Sequence, residues 1–263
     1  MYTYKNAFGF SESIFVMYHF YFCLCFIMVI ADIHCHIIPY VDDGAAVIEE
    51  AMALIRTQYN QGIRLICATP HLRHGMFESS DEEIIRQYTR LKSLATSRFQ
   101  GLELYLSREY HCDKLFREHL KSYTILPLGR GNHLLIEFSS RHTVEQIQEY
   151  IDLVQSYGYQ PLIAHVERYP AVSSEDQIRG LIRQGAKIQV NAGSVLGREG
   201  LKKRLFVHKL LKKGLVDVVA SDSHDTVERP CELKKAYELI EKKMGSNAAR
   251  NVFWENPANI LIT

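Results

Sequence analysis

Two histidines one residue apart, His34 and His36 in Asp32-Ile33-His34-Cys35-His36, close an apolar run that reads as a β-strand. Residues i and i+2 of a strand point to one side, so the pair presents two imidazoles to one point, an arrangement suited to a divalent metal. Alone, the pattern reads equally well as two polar residues facing solvent. The rest of the chain shifts that balance, because other short apolar runs also end in residue types that ligate metals. Asp42 and Asp43 follow the first run; later runs deliver Thr69-Pro70-His71, Arg108-Glu109, Glu137, His165 with Glu167 and Arg168, and Ser221-Asp222-Ser223-His224. Any one of these is explained by a capped turn or a satisfied core histidine. The whole set is not, since titratable side chains are costly to bury unpaired. It mixes imidazole and carboxylate without thiolate, which favours manganese, iron or zinc in a reactive site over a structural zinc. There are too many imidazoles for one ion, so more than one is expected.

Bringing these residues to one rim requires a repeated strand and helix. Apolar strands are predicted at about 29–34, 63–68, 102–106, 133–138, 160–165, 186–191 and 215–220, short runs suited to a sheet covered on both faces. Between the first two, Ile48, Ala51, Met52, Ile55 and Tyr59 recur at helical spacing before Gly62. Thr143 with Gln146, and Ser80 with Glu83, read as capping boxes at helix starts. Strands alternating with helices imply a parallel sheet, open or closed into a barrel. No GxGxxG follows the first strand and no Walker sequence occurs, so neither nucleotide fingerprint supports the open form. In both architectures function sits at the carboxyl ends of the strands, where the unusual residues fall.

The 263 residues suit one such domain, and with 23% charged and 47% AVILMFWYC residues the chain is neither disordered nor a polytopic membrane protein. A net charge of +1 leaves no basic excess for nucleic acid. Cys23, Cys25, Cys35, Cys67, Cys112 and Cys231 are scattered without a CxxC pair, which points to free thiols in a reducing, cytoplasmic setting. Cys67 and Arg73 do satisfy the C-x5-R spacing of cysteine-dependent phosphatases. Pro70 and Leu72, however, stand where a phosphate cradle wants glycine and free backbone donors. The basic stretch Lys202, Lys203, Arg204, Lys209, Lys212 and Lys213 reads as the solvated face of a helix whose Leu201, Leu205 and Leu210 point inward. His74, His111, His119, His133, His142 and His208 are read as surface or packing residues.

Taken in order, DIHCHIIPYVDDG, ATPH, REY, LLIEFS, LIAHVERY and ASDSH resemble the polymerase-and-histidinol-phosphatase (PHP) superfamily. Within it they are most similar to the bacterial capsule-locus manganese-dependent tyrosine-protein phosphatases. The resemblance runs from about Met28 to the C-terminal NPANIL. It implies a distorted, TIM-like (β/α)7 barrel of the PHP type holding three ions, manganese first, with iron or zinc as alternatives. By that likeness His34, His36, Glu109 and Asp222 hold the first ion, and Glu109 bridges to a second bound also by Glu137 and His165. Asp43, His71 and His224 hold the third, while Arg168 and Arg229 grip phosphoryl oxygens. Such a site supplies charge neutralisation at phosphorus and a water of lowered pKa for in-line attack, with no covalent enzyme intermediate. The implied substrate is the phosphotyrosine tail of a membrane-associated bacterial tyrosine autokinase that controls capsule or exopolysaccharide synthesis; a homo-oligomer is left open.

The alternatives are a small-molecule phosphatase of the same superfamily, such as histidinol-phosphate phosphatase, and a catalytically silent barrel. Glu137 and the short spacing from His36 to Asp42 favour the tyrosine phosphatase, and every expected ligand position is filled. One departure stands out: Tyr40 occupies a position where the resembled family usually has glycine, which puts the turn before Asp42 in question. The residues 14–31 are apolar except His19 and include six aromatics, a length at which a membrane helix is considered. Since residues from Val29 are needed for the first strand, only 14–28 remain, too short to span with ease. Residues 1–27 are accordingly expected to be an extension upstream of a 28–263 phosphatase domain, with a miscalled start as one explanation and no stable membrane insertion.

Overall fold

The computed structural model describes residues 28–263; the expected upstream extension, 1–27, lies outside the described residues. β1 (Ile30–Cys35) is buried along its whole length and pairs in parallel with β2 (Ile63–Ala68), which pairs with β4 (Glu103–Leu106). A second parallel ladder runs β3 (His71–Leu72), β5 (Glu109–His111), β6 (His133–Glu137), β7 (Gln160–Ile163), β8 (Lys187–Asn191) and β9 (Val218–Ala220). Pro70 has no N–H to give to the ladder, so the second strand breaks after Ala68 and resumes as β3. The third breaks likewise at Ser107-Arg108 and resumes as β5. Backbone bonds carry across both breaks, from Ser107 N to Ala68 O at 2.9 Å and from Glu109 N to Pro70 O at 3.1 Å. The ring closes where β1 meets the end of β9: His36 N donates to Ser223 O at 2.9 Å and Asp222 N to His34 O at 2.8 Å. The expected seven-stave barrel is therefore present, two of its staves being broken and the stave predicted at 215–220 reduced to Val218–Ala220.

Side-chain alternation divides the core in two. Ala31, Ile33, Leu65, Cys67, Leu135, Leu162, Ala164, Val218 and Ala220 fill the barrel interior, closed below by Trp254 and by Leu261 of the C-terminal helix. Ile66, Ile136, Ile163, Ile188 and Val219 face outward against the helical layer, whose helices are introduced here in chain order. α1 (Ile48–Asn60) buries Ile48, Ala51, Met52 and Ile55 of the stripe its periodicity predicts, together with Leu54, while Tyr59 is only partly buried. α2 (Asp81–Arg98) starts with only half the expected capping box: Ser80 accepts from Glu83 N, while the Glu83 side chain turns to Arg86 and Gln87. α3 (Lys114–Ser122) is capped by Asp113. α4 (Val144–Ser156) has the full reciprocal box of Thr143 and Gln146, and α5 (Glu175–Arg183) repeats it with Ser174 and Gln177.

After the short α6 (Ala192–Leu196) comes α7 (Leu201–Lys212), which corrects the sequence reading. Leu201 and Leu205 do not point inward; they are 67% and 62% exposed, and the buried stripe is Val207, Leu210 and Leu211. Helical spacing is satisfied by either stripe, and the packing against neighbouring elements selects the second. α8 (Leu233–Met244) and α9 (Ser246–Arg250) lead through a π-helical turn at Asn251–Glu255 into α10 (Asn256–Ile262). Among the described residues no helix is long and apolar enough to cross a membrane.

Candidate metal centre

The alternation that builds the core also aims the polar residues. On β6, Leu135 faces the interior, so Glu137 two residues on faces the mouth; on β9, Val218 and Ala220 lead in the same way to Asp222. β1 is less regular. Ala31 and Ile33 face the interior, yet Cys35 packs with the outer layer, and the pairing register shifts between Asp32 and Cys35. That irregularity changes the phase of the strand and sends His34 and His36 to the mouth in place of Cys35. Gly44 lies so close to β1 that a Cβ there would sit 2.1 Å from the His36 carbonyl oxygen, which holds the Asp42-Asp43 loop against the site. His165 and Asp222 adopt left-handed backbone angles, φ 31° and 51°. They are held there by bonds from His165 N to Gln189 Oε1 and from Asp222 N to His34 O, both 2.8 Å.

Three groups of donor atoms result, the members of each within 4.8 Å of one another: His34, His36, Glu109 and Asp222; His71, Glu109 and Glu137; and His36, Asp43, His71 and His224. Glu109 is central. Its Oε2 lies 3.1 Å from His34 Nε2, 3.3 Å from His36 Nε2 and 3.1 Å from His71 Nδ1, while its Oε1 lies 2.8 Å from His165 Nε2. His165 Nε2 is also 4.0 Å from Glu137 Oε2, which brings it beside the second group. The Asp43 carboxylate meets His71 Nε2 at 3.5 Å and His224 Nε2 at 3.3 Å. All nine residues expected to ligate are therefore gathered at one mouth.

The tautomers are set from behind. His34 Nδ1 lies 3.1 Å from Gln189 Oε1, His36 Nδ1 2.7 Å from Asp42 Oδ2, and His224 Nδ1 3.1 Å from the Asp222 carbonyl, all acceptors. His165 Nδ1 lies 3.2 Å from Tyr169 Oη, whose hydroxyl proton goes to the Ala164 carbonyl, so the imidazole donates here too. Four rings thus carry their proton on Nδ1 and turn the Nε2 lone pair into the site, the arrangement of metal-ligating histidines. His34 Nε2 and His36 Nε2 face each other at 3.3 Å. Two lone pairs so placed need a cation between them, a proton or a metal ion. Glu109 Oε2, His71 Nδ1 and His224 Nε2 are buried, and the close approaches among these atoms and their neighbours lack the angles of a hydrogen bond. The donor set therefore fits divalent cations.

Electrostatics agree. Burial opposes charge on His36 and His34, but the surrounding carboxylates, Asp42, Asp222 and Glu109 around the one and Glu109 and Asp222 around the other, outweigh it and raise both pKa values. Burial would raise Glu109 and Asp222, yet His34 and the other histidines, with Arg168 beside Asp222, hold both well below the carboxylate range. Glu137 is held at about 2 by His111 and His71 against burial and the Glu109 charge. Burial and the neighbouring His36 push His224 down to about 4.

The two arginines sit at the rim on either side of Asp222. Arg168 donates to Asp222 Oδ2 at 2.7 Å and grips Glu199 through Nε and a terminal nitrogen at 3.2 and 3.0 Å. Arg229 reaches Asp222 Oδ1 at 3.2 Å and Asp43 at 3.5 Å. Cys67 lies on the interior of β2 with no exposure, and burial pushes its thiol pKa up, so it offers no accessible thiolate.

Several supporting residues escaped the sequence reading. Asp42, which the motif alone does not single out from Asp43, accepts from His36 Nδ1, from His71 N at 3.0 Å and from Gly44 N at 3.0 Å. Gln189 and Asn191 form a buried amide chain beneath the site, from Gln189 Nε2 to Asn191 Oδ1 and from Asn191 Nδ2 to Asp222 Oδ2, each 2.8 Å. Their signal was available as two amides at i and i+2 of an otherwise apolar strand. His111, read as a surface or packing residue, is buried with Nδ1 3.1 Å from Glu137 Oε1. Its spacing of two from Glu109 on β5 places both on one face.

Comparison with known proteins gives one picture. A family model described as capsular polysaccharide synthesis, CpsB/CapC, matches residues 30–262. The tyrosine-protein phosphatase CpsB of Streptococcus agalactiae is 35% identical over 241 residues, covering 88% of this chain and 97% of that protein. The tyrosine-protein phosphatase CpsB of Streptococcus pneumoniae is 35% identical over 237 residues, covering 88% and 98%. A crystal structure from work on YwqE of Bacillus subtilis and CpsB of Streptococcus pneumoniae, described as unique metal-dependent tyrosine phosphatases, aligns with a TM-score of 0.80. It is 29% identical, with 89% of this chain and 94% of that chain covered.

Proposed function

The chain belongs to the CpsB/CapC family of capsular polysaccharide synthesis proteins, and on that premise we propose that it is a metal-dependent protein-tyrosine phosphatase. The observation that carries this reading is the convergence of three donor groups on Glu109, His36 and His71, with two arginines at their rim. We infer that His34, His36, Glu109 and Asp222 hold one ion, that Glu109, Glu137 and His165 hold a second, and that Asp43, His71 and His224 hold a third. Manganese is the first choice, and iron or zinc also suit mixed imidazole and carboxylate donors. Bound there, the ions supply Lewis-acid neutralisation of phosphoryl charge and a water whose pKa is lowered toward neutrality.

The chain's own residues do the rest. Arg168 and Arg229 present planar guanidinium forks that match pairs of phosphoryl oxygens. Asp222 holds both guanidinium groups at the mouth, and Glu199 fixes the far side of Arg168. Asp42, Gln189 and Tyr169 keep the imidazole protons on Nδ1, so that Nε2 stays a ligand. A tyrosyl leaving group departs as a relatively stable phenolate, which lowers the demand for a general acid compared with an alkyl phosphate.

The substrate we infer is a phosphotyrosine segment of a bacterial tyrosine autokinase that regulates capsule or exopolysaccharide synthesis, met in the cytoplasm. The four described cysteines, Cys35, Cys67, Cys112 and Cys231, are buried free thiols, consistent with a reducing compartment. The deciding experiment compares kcat/KM for a phosphotyrosine peptide and for histidinol phosphate. The reading expects the peptide to be preferred, and a preference for histidinol phosphate would overturn it in favour of a small-molecule phosphatase.

A further inference from the structure

We propose that Met76 and Phe77, on the hairpin after β3, and Tyr40, on the loop after β1, form a wall that receives the phenyl ring of the substrate. The proposal rests on the phosphotyrosine reading and deepens it. Phe77 stacks on His71, ring centroids 5.1 Å apart and planes 12° from parallel. The hairpin that carries it is closed by two backbone bonds, Arg73 N to Phe77 O and Phe77 N to Arg73 O, both 2.9 Å. At its turn Met76 is 59% exposed. Tyr40 is 53% exposed and has φ 72°, a conformation that favours glycine. Among the described residues these are large side chains left exposed on the two loops that carry His71 and Asp43, one of them at a backbone angle that favours glycine.

The two loops form one unit. Ser79 Oγ donates to Val41 O at 3.0 Å, and His71 N donates to Asp42 Oδ2 at 3.0 Å, so the hairpin and the Tyr40 loop are tied beside the site. Between them lie the accessible ligand candidates, His71 with 12% and Asp43 with 46% of the side chain exposed. Arg229 bridges from Asp222 to Asp43 and so borders the Tyr40 loop, while Arg168 is held to Asp222 and Glu199. A phosphoryl group held by the arginines beside His71 lies next to the hairpin, whose Phe77 stacks on that imidazole, and its ester substituent is within reach of it. There a phenyl ring meets an aromatic face and a thioether, both favourable partners for a ring and indifferent to an alkyl chain as short as that of serine.

The test is competitive inhibition by phenylphosphonate and by methylphosphonate, measured on the manganese-loaded full chain with a phosphotyrosine peptide as substrate. Tyr40→Gly and Met76→Ala are the variants, both at exposed positions, and the first also relieves a strained backbone. Each is expected to weaken phenylphosphonate about three- to tenfold, with methylphosphonate moving less than about twofold. Equal shifts for both inhibitors, or no shift for either, would overturn the wall while leaving the phosphatase reading intact. Failure of the unaltered chain to hydrolyse the peptide would overturn the reading itself and the wall with it.

Discussion

Replacing Asp42 by asparagine isolates the orienting role assigned to that residue from direct ligation. Its carboxylate accepts three protons, from His36 Nδ1 at 2.7 Å, His71 N at 3.0 Å and Gly44 N at 3.0 Å. An asparagine has one acceptor oxygen. Placed toward His36 and His71, it leaves its amide against Gly44 N–H; turned the other way, it confronts two donors. In the better orientation one hydrogen bond is lost, and the charge-assisted bond to His36 becomes a neutral one of roughly half the strength. A buried donor left without a partner costs about 1–3 kcal/mol. Orienting partners of metal-ligating histidines are worth about 10–100-fold in metal affinity, or about 1.4–2.8 kcal/mol. The expectation is that manganese activation of Asp42→Asn shifts to about 10–100-fold higher metal, while kcat at saturating metal recovers to near that of the parent. Activation curves with a phosphotyrosine peptide, supported by calorimetric titration, measure both quantities. An unchanged activation constant, or activity that no manganese concentration restores, would refute the orienting role.

Metal binding should also release protons. His34 and His36 have pKa values raised above the usual 6.5, so their protonation stabilises the metal-free fold fully below pH 6.5, and that stability is lost as pH rises through the raised values. Manganese must displace these protons, so its affinity should rise with pH across neutrality; calorimetry in buffers of different ionisation enthalpy should find at least about one proton released at pH 7, and none would contradict the assignment. Tyr40→Gly should stabilise the chain by about 1 kcal/mol, because the left-handed backbone costs a side-chain-bearing residue more than glycine loses in chain entropy. Thermal melts should move up by about 2–4 °C, and a lower Tm would show that the tyrosine makes a compensating contact. Arg168→Lys should reduce kcat/KM for the peptide by about tenfold or more, since lysine cannot reproduce the two-pronged grip, and parent-like kinetics would remove Arg168 from substrate binding.

What could be read from the residues follows from which physical signals are local. The staves were legible because each is a short apolar run with its own turn chemistry, their closure into a barrel was implied by the family resemblance alone, and the rim was legible because ligating residue types end those runs. Glu137 follows from strand alternation after Leu135, and Asp222 from Val218 and Ala220. The break at Pro70 was predictable from its missing N–H; the matching break at Ser107-Arg108 has no such mark and depends on pairing with the next strand. Leu201 and Leu205 failed because periodicity gives the spacing of an apolar stripe and says nothing about which of two stripes the neighbours cover. Gln189 and Asn191 were passed over because amides in a strand look like imperfections until the strand is known to line a polar mouth. The double exposure of His71, Nδ1 toward Glu109 and Nε2 toward Asp43, depends on three separate strand ends and lies beyond any local pattern.

The most direct measurement is metal content together with phosphotyrosine hydrolysis on the same preparation. Three donor groups predict close to three bound ions per chain, activity abolished by EDTA and restored by manganese, and indifference to iodoacetamide because Cys67 is buried. Hydrolysis that persists in metal-free protein, or that iodoacetamide blocks, would contradict the account at its centre.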